Sequence, residues 1–209
     1  MKISASFLGS KNIPKTLTEL NITDVDYIHV DVMDGKYVKN KTMSFNELSN
    51  ITYYTRKRLD VHMMVMNPLK LIDDYATLNI AYLTVHLDIK DKLDDIITKC
   101  QEYGIKVGLA VSPCESVEIV YPYLEKIDLV LLMSVEPGLP GQEFIPETYE
   151  KIKKLKTEIK SRNLNTLISV DGGVNLDNIK KLREVDIIVS GTTITNSDNY
   201  QDTISKLRD

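Results

Sequence analysis

Side chains able to do chemistry gather where predicted strands end. In Tyr27-Ile-His-Val-Asp-Val-Met-Asp-Gly35, a β-type run of Ile and Val closes in the turn signal Asp34-Gly35. Strand alternation puts His29, Asp31 and Met33 on one face and Ile28, Val30 and Val32 on the other. An imidazole beside a carboxylate on a buried face is costly unless both are satisfied. A divalent metal would do that, and so would a hydrogen bond between them in a core. His62 shares its predicted face with Met64, and His86 with Thr84. All three histidines of the chain therefore fall near the ends of predicted strands. Asp171 follows another such strand, directly before Gly172-Gly173. Singly, His86 reads as a hydrogen-bonded core histidine and Asp171 as a turn residue or helix cap. Together, His29, Asp31, His62 and Asp171 form a candidate site for one divalent ion. Mixed nitrogen and oxygen donors suit Zn, Fe, Mn or Co better than Mg or Ca.

Glycine clusters follow three successive predicted strands: Pro137-Gly-Leu-Pro-Gly-Gln142, Gly172-Gly173 and Ser190-Gly191-Thr192. A loop glycine often serves only a positive φ. Three such loops beside a candidate metal point instead to phosphate, held by backbone N–H groups and a helix start.

The elements that must position these residues alternate regularly. Strand-like segments at residues 2–8, 27–33, 59–65, 82–87, 106–111, 128–135, 166–170 and 186–190 are each followed by a helical pattern. The helices are expected at about 14–20, 46–54, 68–78, 91–103, 115–124, 146–161, 176–183 and from 198. Such alternation implies a parallel sheet covered by helices. Eight units in 209 residues fit a small (β/α)8 TIM barrel, read as a single catalytic domain over residues 1–209. A doubly wound open sheet is disfavoured because no G-x-G-x-x-G follows the first strand. In a barrel, the chemistry belongs at the C-terminal strand ends, where the candidate residues lie.

Composition narrows the class. A hydrophobic content of 43% and charged content of 27% are ordinary for a globular protein. A net charge of -4 argues against a nucleic-acid partner, and the basic run Lys151 to Lys160 carries Ile and Leu at helical spacing. The two cysteines show no CxxC spacing. No leader pattern or membrane-length apolar run is present, so a cytoplasmic location and no membrane partner are expected. A small barrel often assembles through apolar helix faces, so a homo-oligomer is expected.

With these motifs in view, the chain closely resembles the ribulose-phosphate 3-epimerase family over essentially its whole length. The resemblance rests on Ala5-Ser6-Phe7-Leu8, His29-Val-Asp-Val-Met-Asp-Gly35, Asp60-Val-His-Met-Met-Val65, Met133-Ser-Val-Glu-Pro-Gly138, Gly141-Gln142 with Phe144-Ile145, and Ser169-Val-Asp-Gly-Gly173. It implies metal ligands His29, Asp31, His62 and Asp171, with Asp31 and Asp171 also transferring protons. It implies that Ser6 and His62 contact a ketose phosphate. Gly138, Leu139, Pro140, Gly141, Gly172, Gly173, Gly191 and Thr192 would surround the phosphate. The implied reaction converts D-ribulose 5-phosphate to D-xylulose 5-phosphate in the pentose phosphate pathway, with D-allulose 6-phosphate as the alternative substrate. Departures from the family pattern are Lys39 for a proline, Leu139-Pro140 for Phe-Gly, Ser112 for Asn, and Ser190 to Thr195 for A-G-S-A-I-F. None removes a ligand, although Pro140 removes a backbone N–H from its loop.

Two carboxylates suit epimerisation next to a ketone, because one can take a proton while the other returns one to the opposite face. Met33, Met64 and Met133 share the inward parity, either as core filling or as an apolar lining that excludes water. Competing classes are a related barrel decarboxylase and a non-enzymatic sugar-phosphate binder. The first needs a lysine in D-x-K-x-x-D, whereas this chain has Asp31-Val-Met-Asp34. Intact candidate ligands argue against the second.

Overall fold

In a computed structural model of the protein, which describes residues 1–89 and 91–209, the strands close into one parallel barrel in sequence order. They are β1 (Lys2–Ser6), β2 (Tyr27–Met33), β3 (Arg58–Met64), β4 (Ile80–His86), β5 (Lys106–Val111), β6 (Leu129–Met133), β7 (Leu167–Asp171) and β8 (Ile187–Ser190). Closure comes from β1 pairing with both β2 and β8, with Ser6 opposite His29 and Ala5 opposite Ser190. The expected (β/α)8 TIM barrel is the observed fold.

The helices are α1 (Ile13–Asn21), α2 (Phe45–Ile51), α3 (Ile72–Tyr75), α4 (Leu93–Glu102), α5 (Thr148–Ser161), α6 (Thr192–Thr195) and α7 (Tyr200–Arg208). Local chemistry starts several of them. Asn12 and Asn199 accept backbone N–H groups at the starts of α1 and α7, and Ser44 with Glu47 forms a reciprocal capping box on α2. Among the described residues, none of the helices is long and apolar enough to cross a membrane.

Three expected helices are much reduced. Residues 115–124 contain only the 3-10 segment Val117–Tyr123, in which Pro122 lacks the N–H that an α-helix would use. Residues 176–183 contain the 3-10 turn Ile179–Leu182, while Asn175 and Asn178 spend their amides on the Gly173 carbonyl. Residues 68–78 divide into the 3-10 turn Pro68–Lys70 and α3. The first strand stops at Ser6 rather than Leu8, since the Leu8 N–H turns to Ser6 Oγ and Ser10 N–H closes onto the Phe7 carbonyl. An unexpected α6 stands directly after Gly191.

Alternation sorts the side chains into two layers. Ile28, Val30 and Val32 join the layer between sheet and helices, where Leu17 and Leu20 of α1 are also buried. A second cluster containing Tyr27, Leu129, Leu131, Met133, Ile187 and Val189 fills the barrel interior. At its N-terminal end, Lys2 Nζ donates to Tyr27 Oη at 2.9 Å, and the Tyr27 ring meets Tyr82 edge-on at 5.6 Å. Polar Ser4, His29 and Asp60 lie above, fully or almost fully buried. Moving along each strand toward its C-terminus then reaches Asp31, His62, His86 and Asp171.

Candidate active site at the barrel mouth

Strand register sets Asp31 directly beside His62 across the β2–β3 ladder, while Asp171 ends β7 opposite Met133. Donor atoms of His29, Asp31, His62 and Asp171 consequently lie within 4.8 Å of one another. His29 Nε2 is 3.4 Å from Asp31 Oδ1 and 3.5 Å from Asp171 Oδ2. His62 Nδ1 is 3.3 Å and 3.7 Å from the same two oxygens. Neither nitrogen has a hydrogen-bond partner among the described residues, although both are buried. Ligands about 2.1 Å from a common ion lie roughly 3–4 Å apart, so the spacing suits coordination better than direct hydrogen bonding. Two unpartnered imidazole nitrogens facing two carboxylate oxygens therefore fit a divalent cation, with donor chemistry that accepts Zn, Fe, Mn or Co. The sequence-predicted ligand set converges as expected.

The second ring nitrogens of His29 and His62 are partnered, whereas His86 Nδ1 is buried without a partner among the described residues. His29 Nδ1 lies 2.9 Å from Asp60 Oδ2, which also accepts from Ser4 Oγ at 2.8 Å. That bond fixes the ring and leaves Nε2 toward the site. His62 Nε2 lies 2.9 Å from His86 Nε2. Desolvation opposes a charge on His29, but Asp31, Asp60 and Asp171 outweigh it and hold its pKa well above the ordinary imidazole value. Burial also opposes ionisation of Asp31, yet His29 and His62 hold its carboxyl well below the usual carboxylate range. For His86, burial and the adjacent His62 both act against protonation, pushing its pKa well below the ordinary value.

A cleft opens over this cluster. Its lining includes Ser6, Asp31, Asp171 and the predicted phosphate-loop residues Gly138, Leu139, Pro140, Gly141, Gly172, Gly173, Gly191 and Thr192. His62 is wholly buried and approaches from below. Met33, Met64 and Met133 all line the cleft, so they form an apolar wall rather than filling a remote core. The turn after Asp171 depends on left-handed backbone at Gly172 (φ +112°) and Gly173 (φ +63°). A Cβ on Gly173 would stand 2.5 Å from the Phe144 backbone nitrogen. Gly191 precedes the start of α6, whose first N–H groups have no intrahelical acceptor.

Other residues shape the site without having been singled out from sequence. Asn40 Nδ2 donates to the Gly138 carbonyl, joining the loops after β2 and β6, while Gln142 Nε2 donates to the Glu136 and Leu139 carbonyls. Asp60 and Ser4 support His29. Their signal was available in strand parity, since Asp60 and His62, like Ser4 and Ser6, stand two residues apart.

Fold and site together define a barrel enzyme class with a divalent-metal-type centre among glycine-rich loops. Comparison with known proteins makes the assignment specific. The signature described as the Ribulose-phosphate 3 epimerase family matches residues 2–195. A ribulose-phosphate 3-epimerase from Buchnera aphidicola is 40% identical, with the match covering 88% of this chain and 83% of the relative. One from Helicobacter pylori strain J99 is 37% identical, with 94% and 92% covered. The chain belongs to the ribulose-phosphate 3-epimerase family of isomerases. Among solved structures, KGPDC from Streptococcus mutans aligns with a TM-score of 0.71 at 12% identity, covering 99% of this chain and 95% of that one, a likeness of fold alone.

Proposed function

We propose that the enzyme interconverts D-ribulose 5-phosphate and D-xylulose 5-phosphate, with one divalent ion held by His29, Asp31, His62 and Asp171. The observation that carries this reading is the convergence of two carboxylates from β2 and β7 on two unpartnered imidazole nitrogens beneath the cleft. When bound, the ion supplies Lewis-acid stabilisation of the negative charge that develops on the enediolate oxygens. The chain's own residues handle the proton. Each carboxylate turns one oxygen toward the histidines, Asp31 Oδ1 and Asp171 Oδ2, and keeps a second oxygen for proton transfer. One ionised Asp takes the C3 proton, leaving its electron pair in the enediolate. The other Asp, protonated at the outset, returns its proton to C3 from the opposite face. Reversal of these protonation states serves the opposite direction.

Ser6 Oγ, 3.5 Å from Asp31 Oδ2, contacts the substrate hydroxyls in this proposal. The glycine loops after β6, β7 and β8 hold the phosphate, and the methionine wall limits water at the reacting carbon. The full chain acts as one catalytic domain, cytoplasmic and homo-oligomeric, within the pentose phosphate pathway. The test is kcat/KM on D-ribulose 5-phosphate and D-allulose 6-phosphate after anaerobic reconstitution with Zn, Fe, Mn or Co. Preference for the pentulose phosphate supports the proposal; preference for the hexulose phosphate assigns the sister activity, and no metal-dependent turnover defeats both.

A further inference from the structure

His86 is the histidine that the proposed reaction leaves without a role. It ends β4, is only 1% exposed, and shares the β4 face directed into the barrel with Thr84. Its Nε2 meets His62 Nε2 at 2.9 Å, and the two rings lie 5.1 Å apart at 32°. One proton at most can occupy that contact. With His62 Nδ1 turned toward Asp31 and Asp171, a metal-ligating His62 needs a bare Nδ1 and hence a proton on Nε2. His86 Nε2 must then be the acceptor, which puts the His86 proton on Nδ1, a buried nitrogen that has no hydrogen-bond partner among the described residues. His62 and His29 thus turn opposite nitrogens to the site, one backed by a neutral imidazole and the other by the Asp60 carboxylate.

A cover holds this arrangement from above. Tyr37, in the loop after β2, lays its ring 4.8 Å from the His86 ring, and Tyr37 Oη donates to Asp88 Oδ1 at 2.7 Å. That bond pins the loop after β2 to the loop after β4 and leaves the His86 ring little room to turn. We infer that His86 is a positioning residue: as a buried neutral acceptor under Tyr37, it selects the His62 tautomer whose Nδ1 lone pair serves the divalent ion. The inference rests on the proposed reading of His62 as a metal ligand.

Support from an outer hydrogen-bond partner typically changes metal affinity about 10- to 100-fold. The test measures Zn affinity by chelator competition in wild type, His86→Gln and His86→Phe, with unfolding of the metal-free proteins recorded alongside. The Gln side-chain oxygen can accept from His62 Nε2–H, whereas Phe fills the space without an acceptor. Expected is a loss of affinity of about that size in His86→Phe and substantial rescue in His86→Gln. Equal affinity in all three, or equal loss in both variants, overturns the inference. Should His86→Phe not fold, nitrogen-15 NMR of histidine-labelled, Zn-loaded wild type decides alone: a proton on His62 Nε2 is expected, and a proton on Nδ1 overturns the assignment. Absence of Zn binding to wild type itself would instead defeat the underlying ligand proposal, and the inference with it.

Discussion

The turn after Asp171 offers a sharp test of how the cleft is built, because Gly173 and Gly104 share nearly the same positive φ in different surroundings. Their φ values are +63° and +67°. A Cβ on Gly104 would meet nothing within 4 Å, whereas one on Gly173 would lie 2.5 Å from Phe144 N and 2.8 Å from Phe144 Cα. Alanine at either position pays the left-handed penalty of roughly 1–2 kcal/mol. Only Gly173→Ala adds an overlap with backbone, which cannot be relieved by rotating a side chain, and overpacking adds about 1–3 kcal/mol. Gly104→Ala is therefore expected to cost about 1–2 kcal/mol and Gly173→Ala about 2–5 kcal/mol. At roughly 2–4 °C per kcal/mol for a chain of this size, the second variant should melt several degrees below the first. Thermal unfolding by circular dichroism measures both. Displacement of the loop at Phe144 should also raise KM in Gly173→Ala while leaving it unchanged in Gly104→Ala. Equal melting shifts with unchanged KM would refute the close approach of the turns after β6 and β7.

Removing metal with a chelator should abolish turnover and lower Tm, with both restored by adding back Zn, Fe, Mn or Co, because an ion bound only to the folded chain stabilises it; activity assays and thermal scans check this. Metal affinity should rise with pH below the elevated pKa of metal-free His29, since binding must expel the proton that Asp31, Asp60 and Asp171 help retain, and calorimetry across pH would record that release. Gly191→Asp sets a carboxylate at the start of α6, so KM for the sugar phosphate should rise, as should the inhibition constant of inorganic phosphate. An unchanged KM would remove Gly191 from the proposed phosphate cradle.

Local rules made much of this architecture readable from sequence. The run Tyr27–Met33 is a strand with the expected bounds, and its alternation separates site from outer layer because the barrel interior and the helix-covered face impose opposite environments. His29, Asp31, His62 and Asp171 were legible for the same reason. Strand parity placed Asp60 and His86 on the inward face, but not their partners, because those contacts cross between strands, 2.9 Å from His29 and His62 respectively. The Asn40–Gly138 bond spans 98 positions and leaves no periodic trace. Helical patterns at 115–124 and 176–183 overestimated order, since Pro122 and the Asn175–Asn178 turn redirect the backbone locally.

The two-base assignment is tested most directly by isotope exchange in Asp31→Asn and Asp171→Asn, each first shown to retain metal. Loss of one positioned acid or base typically slows a reaction about 10²- to 10⁴-fold, so both variants should lose epimerisation in either direction. The surviving carboxylate can still remove the C3 proton from one epimer and return a solvent deuteron to the same face. Proton NMR in D2O should therefore show Asp31→Asn exchanging C3–H of one epimer and Asp171→Asn exchanging that of the other. Exchange of the same epimer by both variants, or full-rate epimerisation by either, would contradict the account.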